Sequence, residues 1–144
     1  MDIPLNFYKT IIKHLPVLTV DLVIVHRGRV LLLKRAIQPF RGTWWIPGGR
    51  FQKGETFERA VWRIAKAETG LSVKIVKLLG VDGMHERRWG IDVHSIGVVY
   101  LVKPTGKSLK LKLNKESNDA VWFSHVPKKS HWFVRKFLRE AGFR

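Results

Sequence analysis

The segment of residues 49–71, GRFQKGETFERAVWRIAKAETGL, constrains this chain more than any other part of the sequence. Its first glycine is followed after five residues by Glu55, and after seven more by Arg63. Glu68 and Gly70 then precede a terminal leucine. Apolar positions recur at helical spacing within the segment, and Gly70 is suited to end a helix in the left-handed conformation. The pattern therefore predicts a loop, a helix and a second loop, with a carboxylate in the last helical turn.

Glu68 is the residue of this segment whose position most needs an explanation. In the last turn of a helix the dipole disfavours an anion, and a bound cation would relieve that cost. The alternative is a solvated glutamate or a partner for an arginine. The position alone leaves both interpretations open, and a divalent metal is a cation that a carboxylate there could bind. Gly48 follows Pro47, and a glycine there lets the backbone approach closely, so its carbonyl oxygen is a second candidate ligand; an ordinary turn is the alternative.

Alternating and helical patterns along the rest of the chain predict interleaved strands and helices. Alternate residues of the first predicted strand, 17–26, form an apolar face, and Asp21 lies on the opposite face. Leucine and lysine alternate over residues 109–113, which predicts a half-exposed strand whose lysines guard an edge. The predicted helices are 5–14, 56–69 and 131–141, and the other predicted strands are 30–34, 72–81, 91–102 and 120–124.

The composition restricts both chemistry and location. The chain has no cysteine, which excludes disulfides, thiolate metal sites and thiol nucleophiles. Its 144 residues suit one α/β domain, 1–144. The longest apolar stretch is interrupted and too short to cross a bilayer, and the first residues lack the pattern of a secretory signal. We therefore expect a cytoplasmic protein without a membrane partner.

The charge of the chain is strongly positive. Lys and Arg number 27 against 11 Asp and Glu, which gives a net charge of +16. A bias of that size favours anionic partners through its long-range field. Phosphorylated small molecules, nucleic acids and anionic membranes all satisfy it, so the charge alone does not select among them.

The 49–71 segment resembles the signature of the Nudix hydrolases. The resemblance implies an α/β Nudix fold, with mixed β-sheets sandwiched between α-helices, and divalent-metal-dependent hydrolysis of a nucleoside-diphosphate derivative. Ile64 and Ala67 stand where that family carries acidic metal ligands. Fewer carboxylates hold fewer ions, so we expect one Mg²⁺, with Mn²⁺ as the alternative. The matching residues are Gly49, Glu55, Arg63, Glu68, Gly70 and Leu71.

Within the family, the chain is most similar to the GDP-mannose mannosyl hydrolases over nearly its whole length. Residues 20–71 are similar throughout, including the PGGR sequence and the same replacement of two acidic residues by an apolar residue and alanine. The resemblance implies attack at the sugar carbon of a small-molecule nucleoside-diphosphate sugar (NDP-sugar), which releases free sugar and a nucleoside diphosphate. It also implies a homodimer.

The resemblance also assigns ligands and anion-binding residues. Gly48 and Glu68 would hold the metal, and Glu116 stands at a third ligand position where the family has glutamine. Arg35 and Arg50 would bind the diphosphate, since guanidinium groups donate bidentately and stay charged.

Two further catalytic roles follow from the same resemblance. Arg63 would assist catalysis. Asp21 would stabilise positive charge on the sugar ring, which agrees with the need of an acid in an apolar strand for a partner; a strand residue turned to water is the alternative.

The general base is the position at which the resemblance fails. The family has histidine where this chain has Ser117, and a serine hydroxyl does not accept a proton at neutral pH as imidazole does. We name His85 as the candidate base, in a polar loop over residues 85–92 that should overhang the site. The other candidates are His94, Glu86, Asp92, Asn118 and Asp119.

Two other functions remain as alternatives. One is a Nudix pyrophosphohydrolase that attacks phosphorus. The other is a non-catalytic nucleotide- or RNA-binding module, suggested by the net charge and by a basic, aromatic tail; an amphipathic helix that packs its aromatic residues inward is the more ordinary interpretation of that tail. The tail residues are Trp132, Phe133, Arg135, Lys136, Phe137 and Arg139.

Overall fold

The computed structural model describes residues 2–144, which form three helices and seven strands. The helices are α1 (Leu5–His14), α2 (Phe57–Thr69) and α3 (Trp132–Glu140). The strands are β1 (Val17–His26), β2 (Arg29–Arg35), β3 (Trp44–Trp45), β4 (Gly48–Arg50), β5 (Val73–Arg88), β6 (Ile91–Pro104) and β7 (Ser117–Phe123).

Strand β1 lies at the centre of a mixed sheet. It runs parallel to β6 and antiparallel to β2 and β4. The main order of strands is β3-β2-β1-β6-β5, with β4 paired to β1 and β7 paired to β2. Strand β1 pairs with β6 over residues 17–24, with β4 over residues 19–21 and with β2 only over residues 25–26, so it joins two groups of strands.

The core is divided between the two sides of the sheet. Leu22 and Ile24 of β1 pack on the side of α2, and Val23 packs on the side of α3. Successive strand residues point to opposite faces, so a strand buried on both sides reads as continuously apolar. The predicted α/β fold, with mixed strands sandwiched between helices, is confirmed.

Helix α2 begins one residue after its predicted start and ends at the predicted residue, Thr69. The hydroxyl of Thr56 accepts a hydrogen bond from the backbone N–H of Arg59 at 3.2 Å, which caps the first turn. Gly70 has φ +78°, the left-handed conformation that ends a helix cheaply only at glycine. This helix presents Glu68 to the sheet and leaves Ala67 in water.

The prediction of a polar loop over residues 85–92 is wrong. Strands β5 and β6 continue through that region as a hairpin, in which His85 pairs with His94 and Arg88 with Ile91. Only Trp89 and Gly90 lie in the turn, both with positive φ. The polar residues of the hairpin end are therefore strand residues with fixed directions.

The prediction of a strand over residues 109–113 is also wrong, because this segment pairs with no strand. Its alternation is nevertheless reflected in burial: Leu111 and Leu113 pack against the α2 side of the core. The backbone N–H of Lys112 donates to the carbonyl of Thr69 at 2.9 Å. The leucines thus anchor an irregular segment beneath the end of α2.

Helix α3 turns its aromatic residues inward. Phe133 and Phe137 are buried among other core residues, while Trp132 is exposed. The buried rings are not available to stack on nucleic acid bases, which favours the structural interpretation of the tail over RNA binding. Among the described residues, no helix is long and apolar enough to cross a membrane.

Candidate active site

A cavity of about 360 Å³ opens where β1, β4 and the distal part of the β5–β6 hairpin meet. Five of the residues that the sequence predicted for the site lie in its wall, contributed by four different parts of the chain: Asp21, Arg35, Gly48, Arg50 and Glu116. Glu68 approaches from α2 behind Gly48. The fold therefore gathers carboxylates and arginines that are distant in sequence.

Asp21 occupies a space that two glycines create. A Cβ added to Gly48 would collide with Oδ1 of Asp21, and one added to Gly97 would lie 2.7 Å from Oδ2. The hydroxyl of Thr19 donates to Oδ2 at 2.8 Å. The side chain is 7% exposed, and burial raises its pKa to about 7 although the Thr19 hydrogen bond lowers it. Asp21 thus faces the cavity and not bulk water.

Glu68 lies behind the cavity with one hydrogen bond from the protein. The backbone N–H of Gly48 donates to Oε2 at 2.9 Å, and the residue is 9% exposed. Burial raises the pKa of Glu68 to about 8, the Gly48 hydrogen bond opposes that rise, and the charges of Glu116 and Asp21 add to it. The charges of two other acids thus add to the cost of ionising Glu68 in a buried position.

A divalent cation fits this donor set. A cation between Glu68 and Glu116 would offset both their repulsion and the desolvation of Glu68. The described residues contain no group of three His, Cys, Asp or Glu side chains that could hold a metal alone, so a site here needs a further donor such as the Gly48 carbonyl. Hard cations accept carbonyl oxygens, carboxylates and water.

Glu116 is placed by the chain that leads into β7. Its own carbonyl accepts from the N–H of Ala36 at 2.8 Å, and its N–H donates to the side chain of Asn114 at 3.0 Å. These bonds hold the segment beside the end of β2, where Arg35 lies. The residue itself is exposed, so its side chain reaches the cavity from the solvent side.

The two positions where Nudix carboxylates are replaced differ in environment. Ile64 is 2% exposed, belongs to the core and packs near Gly49, whereas Ala67 is exposed. Residues 64 and 68 lie on the buried face of α2, whereas residue 67 lies on its exposed side. Ile64 places an apolar side chain one turn before Glu68.

The two predicted diphosphate-binding arginines are held by different contacts. The Nε of Arg35 donates to the carbonyl of Pro39 at 2.6 Å, and burial, followed by the charge of Arg88, lowers the pKa of Arg35. The guanidinium of Arg50 lies over the ring of Tyr8, 4.6 Å from its centroid. Both residues are only partly buried, so their charges are available to an anion in the cavity.

Arg63 is not a cavity residue. It donates to Glu55 at 2.9 Å through Nε and at 2.6 Å through a terminal nitrogen, which makes a bidentate pair. The same terminal nitrogen donates to the carbonyl of Arg50 at 2.8 Å. Arg63 therefore holds the backbone from which Arg50 projects.

The Glu55–Arg63 pair predicts a dependence of stability on pH. We expect Glu55→Gln to lower the free energy of unfolding at neutral pH by about 1 to 2 kcal/mol, the worth of a charged hydrogen bond to a partly exposed partner. The Arg63 hydrogen bond lowers the pKa of Glu55, so this stability is present above the ordinary pKa of glutamate and is lost as pH falls through the lower folded value.

Urea unfolding at a series of pH values, from neutral down to about pH 3, measures that loss. The wild-type and Glu55→Gln curves should converge at the acid end. Glu140→Gln, an exposed carboxylate at the end of α3, is the matched control and should leave the curve unchanged. A difference between wild type and Glu55→Gln that stayed constant over the whole range would contradict the role of the ion pair.

His85 does not lie where the sequence prediction placed it. It is absent from the wall of the cavity and borders an adjoining, shallower pocket together with Asp92 and His131. Its ring stacks on His94 at 4.6 Å, its Nδ1 lies 3.4 Å from Oδ1 of Asp92, and its side chain is 64% exposed. Successive side chains of a strand point to opposite faces, and on β5 the residues at positions 84, 86 and 88 face the cavity. His85 therefore points away from the cavity.

Sequence reasoning missed several residues of the cavity wall or assigned them no role. Tyr8 comes from α1, which local pattern did not connect with the site. Arg88 faces the cavity from β5, and Gly97 lines it from β6. Glu86, one of the candidate bases named from the sequence, also faces the cavity from β5. Residues 84–88 show no alternation of apolar and polar side chains, so the directions of these side chains follow only once the segment is known to be a strand.

The comparisons with known proteins agree with this architecture. The NUDIX domain family model matches residues 15–140. An ADP-ribose pyrophosphatase of Methanocaldococcus jannaschii is 36% identical over 115 residues, which cover 78% of this chain and 66% of that protein. The low-salt glycan biosynthesis protein Agl8 of Haloferax volcanii is 44% identical over 78 residues, which cover 54% of this chain and 50% of that protein.

Among solved structures, a MutT NUDIX hydrolase from Burkholderia pseudomallei is similar, with a TM-score of 0.76 and 28% identity over 88% of this chain and 98% of that one. The family match and the fold together place the chain in one class: it belongs to the Nudix family. The chain spans about half to two thirds of the length of the two curated relatives named above.

Proposed function

We propose that this chain is a divalent-metal-dependent hydrolase of a nucleoside-diphosphate derivative, and that its substrate is an NDP-sugar, GDP-mannose-like, cleaved to free sugar and a nucleoside diphosphate. One observation carries the finer proposal. The cavity holds Arg35 and Arg50, which suit a diphosphate, and also the enclosed carboxylate of Asp21. In an NDP-sugar, the diphosphate suits the two arginines and the sugar ring, which becomes positively charged during cleavage, suits the carboxylate.

The carboxylate of Asp21 favours attack at carbon. When the bond from the sugar carbon to oxygen breaks, positive charge develops on the sugar ring, and a fixed anion beside it lowers the energy of that state. An anion beside a phosphorus centre would instead repel the negatively charged phosphate oxygens. Asp21 is held between Gly48 and Gly97, so it is directed before substrate binds.

Glu68, Glu116 and the carbonyl of Gly48 would hold the metal. When bound, the ion neutralises charge on the diphosphate leaving group. Arg35 and Arg50 would bind and orient the same group, and Arg63 fixes the backbone of Arg50. Of the three ligand positions 64, 67 and 68, only Glu68 is a carboxylate, so the donor set favours one ion, with Mg²⁺ the first choice and Mn²⁺ the second.

The names of the relatives support both a sugar substrate and a second candidate reaction. The Haloferax volcanii relative is named for glycan biosynthesis. Two others, the Methanocaldococcus jannaschii ADP-ribose pyrophosphatase and a mouse 8-oxo-dGDP phosphatase that is 38% identical over 69% of this chain and 29% of that protein, are named for phosphoryl cleavage. Attack at phosphorus is therefore the alternative that the experiment must separate.

The experiment is hydrolysis in ¹⁸O water. Purified protein with Mg²⁺ is incubated with GDP-sugars, UDP-sugars and ADP-ribose, and the products are analysed by mass spectrometry. Label in free sugar supports the proposal, and label in a phosphate supports attack at phosphorus. No turnover of any substrate above the level of a Glu68→Gln preparation purified in the same way would overturn both.

The proposed assembly and location are a cytoplasmic homodimer, as the resemblance and the composition imply. Light scattering of the purified protein measures the first. A monomer at micromolar concentration would contradict it.

A further inference from the structure

We infer that Glu86 is the general base of the proposed hydrolysis and takes the proton of the attacking water. The inference rests on the proposed function, and it fills a role that neither Ser117 nor His85 can take. Ser117 is not in the cavity wall, and a hydroxyl is a poor proton acceptor at neutral pH. His85 points to the other face of its strand.

The register of the β5–β6 hairpin fixes the direction of Glu86. On β5, residues 84, 86 and 88 line the cavity, and on β6, residues 93, 95 and 97 do. These are cross-strand neighbours on one face, since Met84 pairs with Ser95 and Glu86 with Val93. The neighbours His85 and Arg87 are exposed, whereas Glu86 is half-buried. Of the two residues 85 and 86, only Glu86 meets the enclosed volume.

The charges around Glu86 suit a proton acceptor. Burial raises the pKa of Glu86 above its ordinary value, while the charges of Arg88 and Arg35 lower it. The first effect makes the carboxylate more basic, and the second favours its ionised form. Glu86 also borders the shallow pocket beside His85, which opens to solvent and gives the proton an exit.

The other acids of the cavity are occupied. The Oδ2 of Asp21 accepts the Thr19 hydroxyl, and the carboxyl group is enclosed by two glycines. Glu116 lies beside Glu68, and we place it on the metal. Of the three acids in the cavity wall, Asp21 is assigned to the sugar and Glu116 to the metal, and only Glu86 has no other assigned role.

The step conserves atoms and charge as follows. The oxygen of water forms a bond to the sugar carbon while the bond from that carbon to the bridging diphosphate oxygen breaks. The nucleoside diphosphate leaves with the electron pair of that bond. One carboxylate oxygen of Glu86 takes a proton from the water, the sugar keeps the other as its new hydroxyl, and the proton then passes to solvent.

The test compares Glu86→Gln with His85→Gln, two adjacent residues on opposite faces of β5. We expect Glu86→Gln to lower kcat by at least about 100-fold with KM changed only a few-fold, because it removes proton acceptance and leaves binding in place. His85→Gln should stay within about threefold of wild type, since it lies outside the cavity. Thermal unfolding of both variants shows whether the fold is retained.

A second variant distinguishes a base from a structural residue. Glu86→Ala leaves space for a small carboxylate, and added sodium formate should restore part of its kcat, whereas sodium chloride at equal ionic strength should not. Wild-type kcat in Glu86→Gln, equal losses in both glutamine variants, or a loss in Glu86→Ala that formate does not reverse would overturn the inference alone. An inactive wild type would overturn the proposed function and the inference together.

Discussion

Glu68→Gln is expected to lower kcat/KM by about 1,000-fold, because it removes the charge that orients and holds the divalent ion against the leaving group. Glutamine keeps the size of the side chain and can still accept the hydrogen bond from Gly48, so the geometry around the site is conserved. The loss is therefore attributable to charge.

The stability of the same variant provides a second result that runs in the opposite direction. Burial raises the pKa of Glu68 to about 8, so the folded protein binds that proton more tightly than the unfolded chain does. The contribution of Glu68 to the free energy of unfolding is therefore fully present below the ordinary pKa of glutamate. It is lost as pH rises through the pKa that Glu68 has in the folded protein. Without metal at neutral pH, Glu68→Gln should be at least as stable as wild type.

Thermal unfolding with and without Mg²⁺ tests both results alongside kinetics. Mg²⁺ should raise the Tm of wild type and leave the Tm of Glu68→Gln nearly unchanged, since a ligand stabilises only the state that binds it. Glu58→Gln, the same substitution on an exposed residue of α2, should keep both activity and the Mg²⁺ effect. A Glu68→Gln protein that still responded to Mg²⁺ like wild type would remove Glu68 from the metal site.

The parts of the fold that sequence predicted well are those in which local signals agree. The Thr56 cap, the apolar period and the left-handed Gly70 all indicated the same helix, and α2 begins one residue after the predicted start. The apolar alternation of β1 likewise placed Asp21 on the correct face. Most of the predicted site residues follow from these two elements and from the family pattern.

The errors occurred where side-chain polarity and backbone structure disagree. The hairpin end is strand, but its inward residues Met84, Glu86 and Arg88 face a polar cavity, so no apolar alternation marks them. The leucines of residues 109–113 do alternate, yet they pack on the core without a partner strand. Tyr8 and Gly97 join the site through tertiary contacts that no local pattern encodes.

Gly97→Ala is expected to lower the free energy of unfolding by about 1 to 3 kcal/mol, the cost of forcing extra volume into a packed interior, and to abolish most of the activity. A Cβ at this position would lie 2.7 Å from Oδ2 of Asp21 and 2.7 Å from Cζ of Phe133. Both neighbours are buried, at 7% and 3% exposure, so neither can turn out into water. Strand β6 or helix α3 must shift.

Urea unfolding and steady-state kinetics measure the two effects of Gly97→Ala. The control is Gly106→Ala, because an added Cβ there approaches nothing closer than 3.7 Å and φ at that glycine is not positive. It should leave stability and activity within error of wild type. Equal behaviour of the two alanine variants would mean that the space at Gly97 is not needed.

The double variant Gly97→Ala/Phe133→Leu separates the two collisions. Leucine lacks the far end of the ring, so it relieves the contact with Phe133 and leaves the contact with Asp21. Stability should recover partly relative to the sum of the single changes, as expected for residues in contact. Activity should not recover, because Asp21 is still displaced from its place between the glycines. If activity returned together with stability, the absence of a side chain at Gly97 would be needed only for packing against Phe133. The position of Asp21 between the two glycines would then not be required for activity.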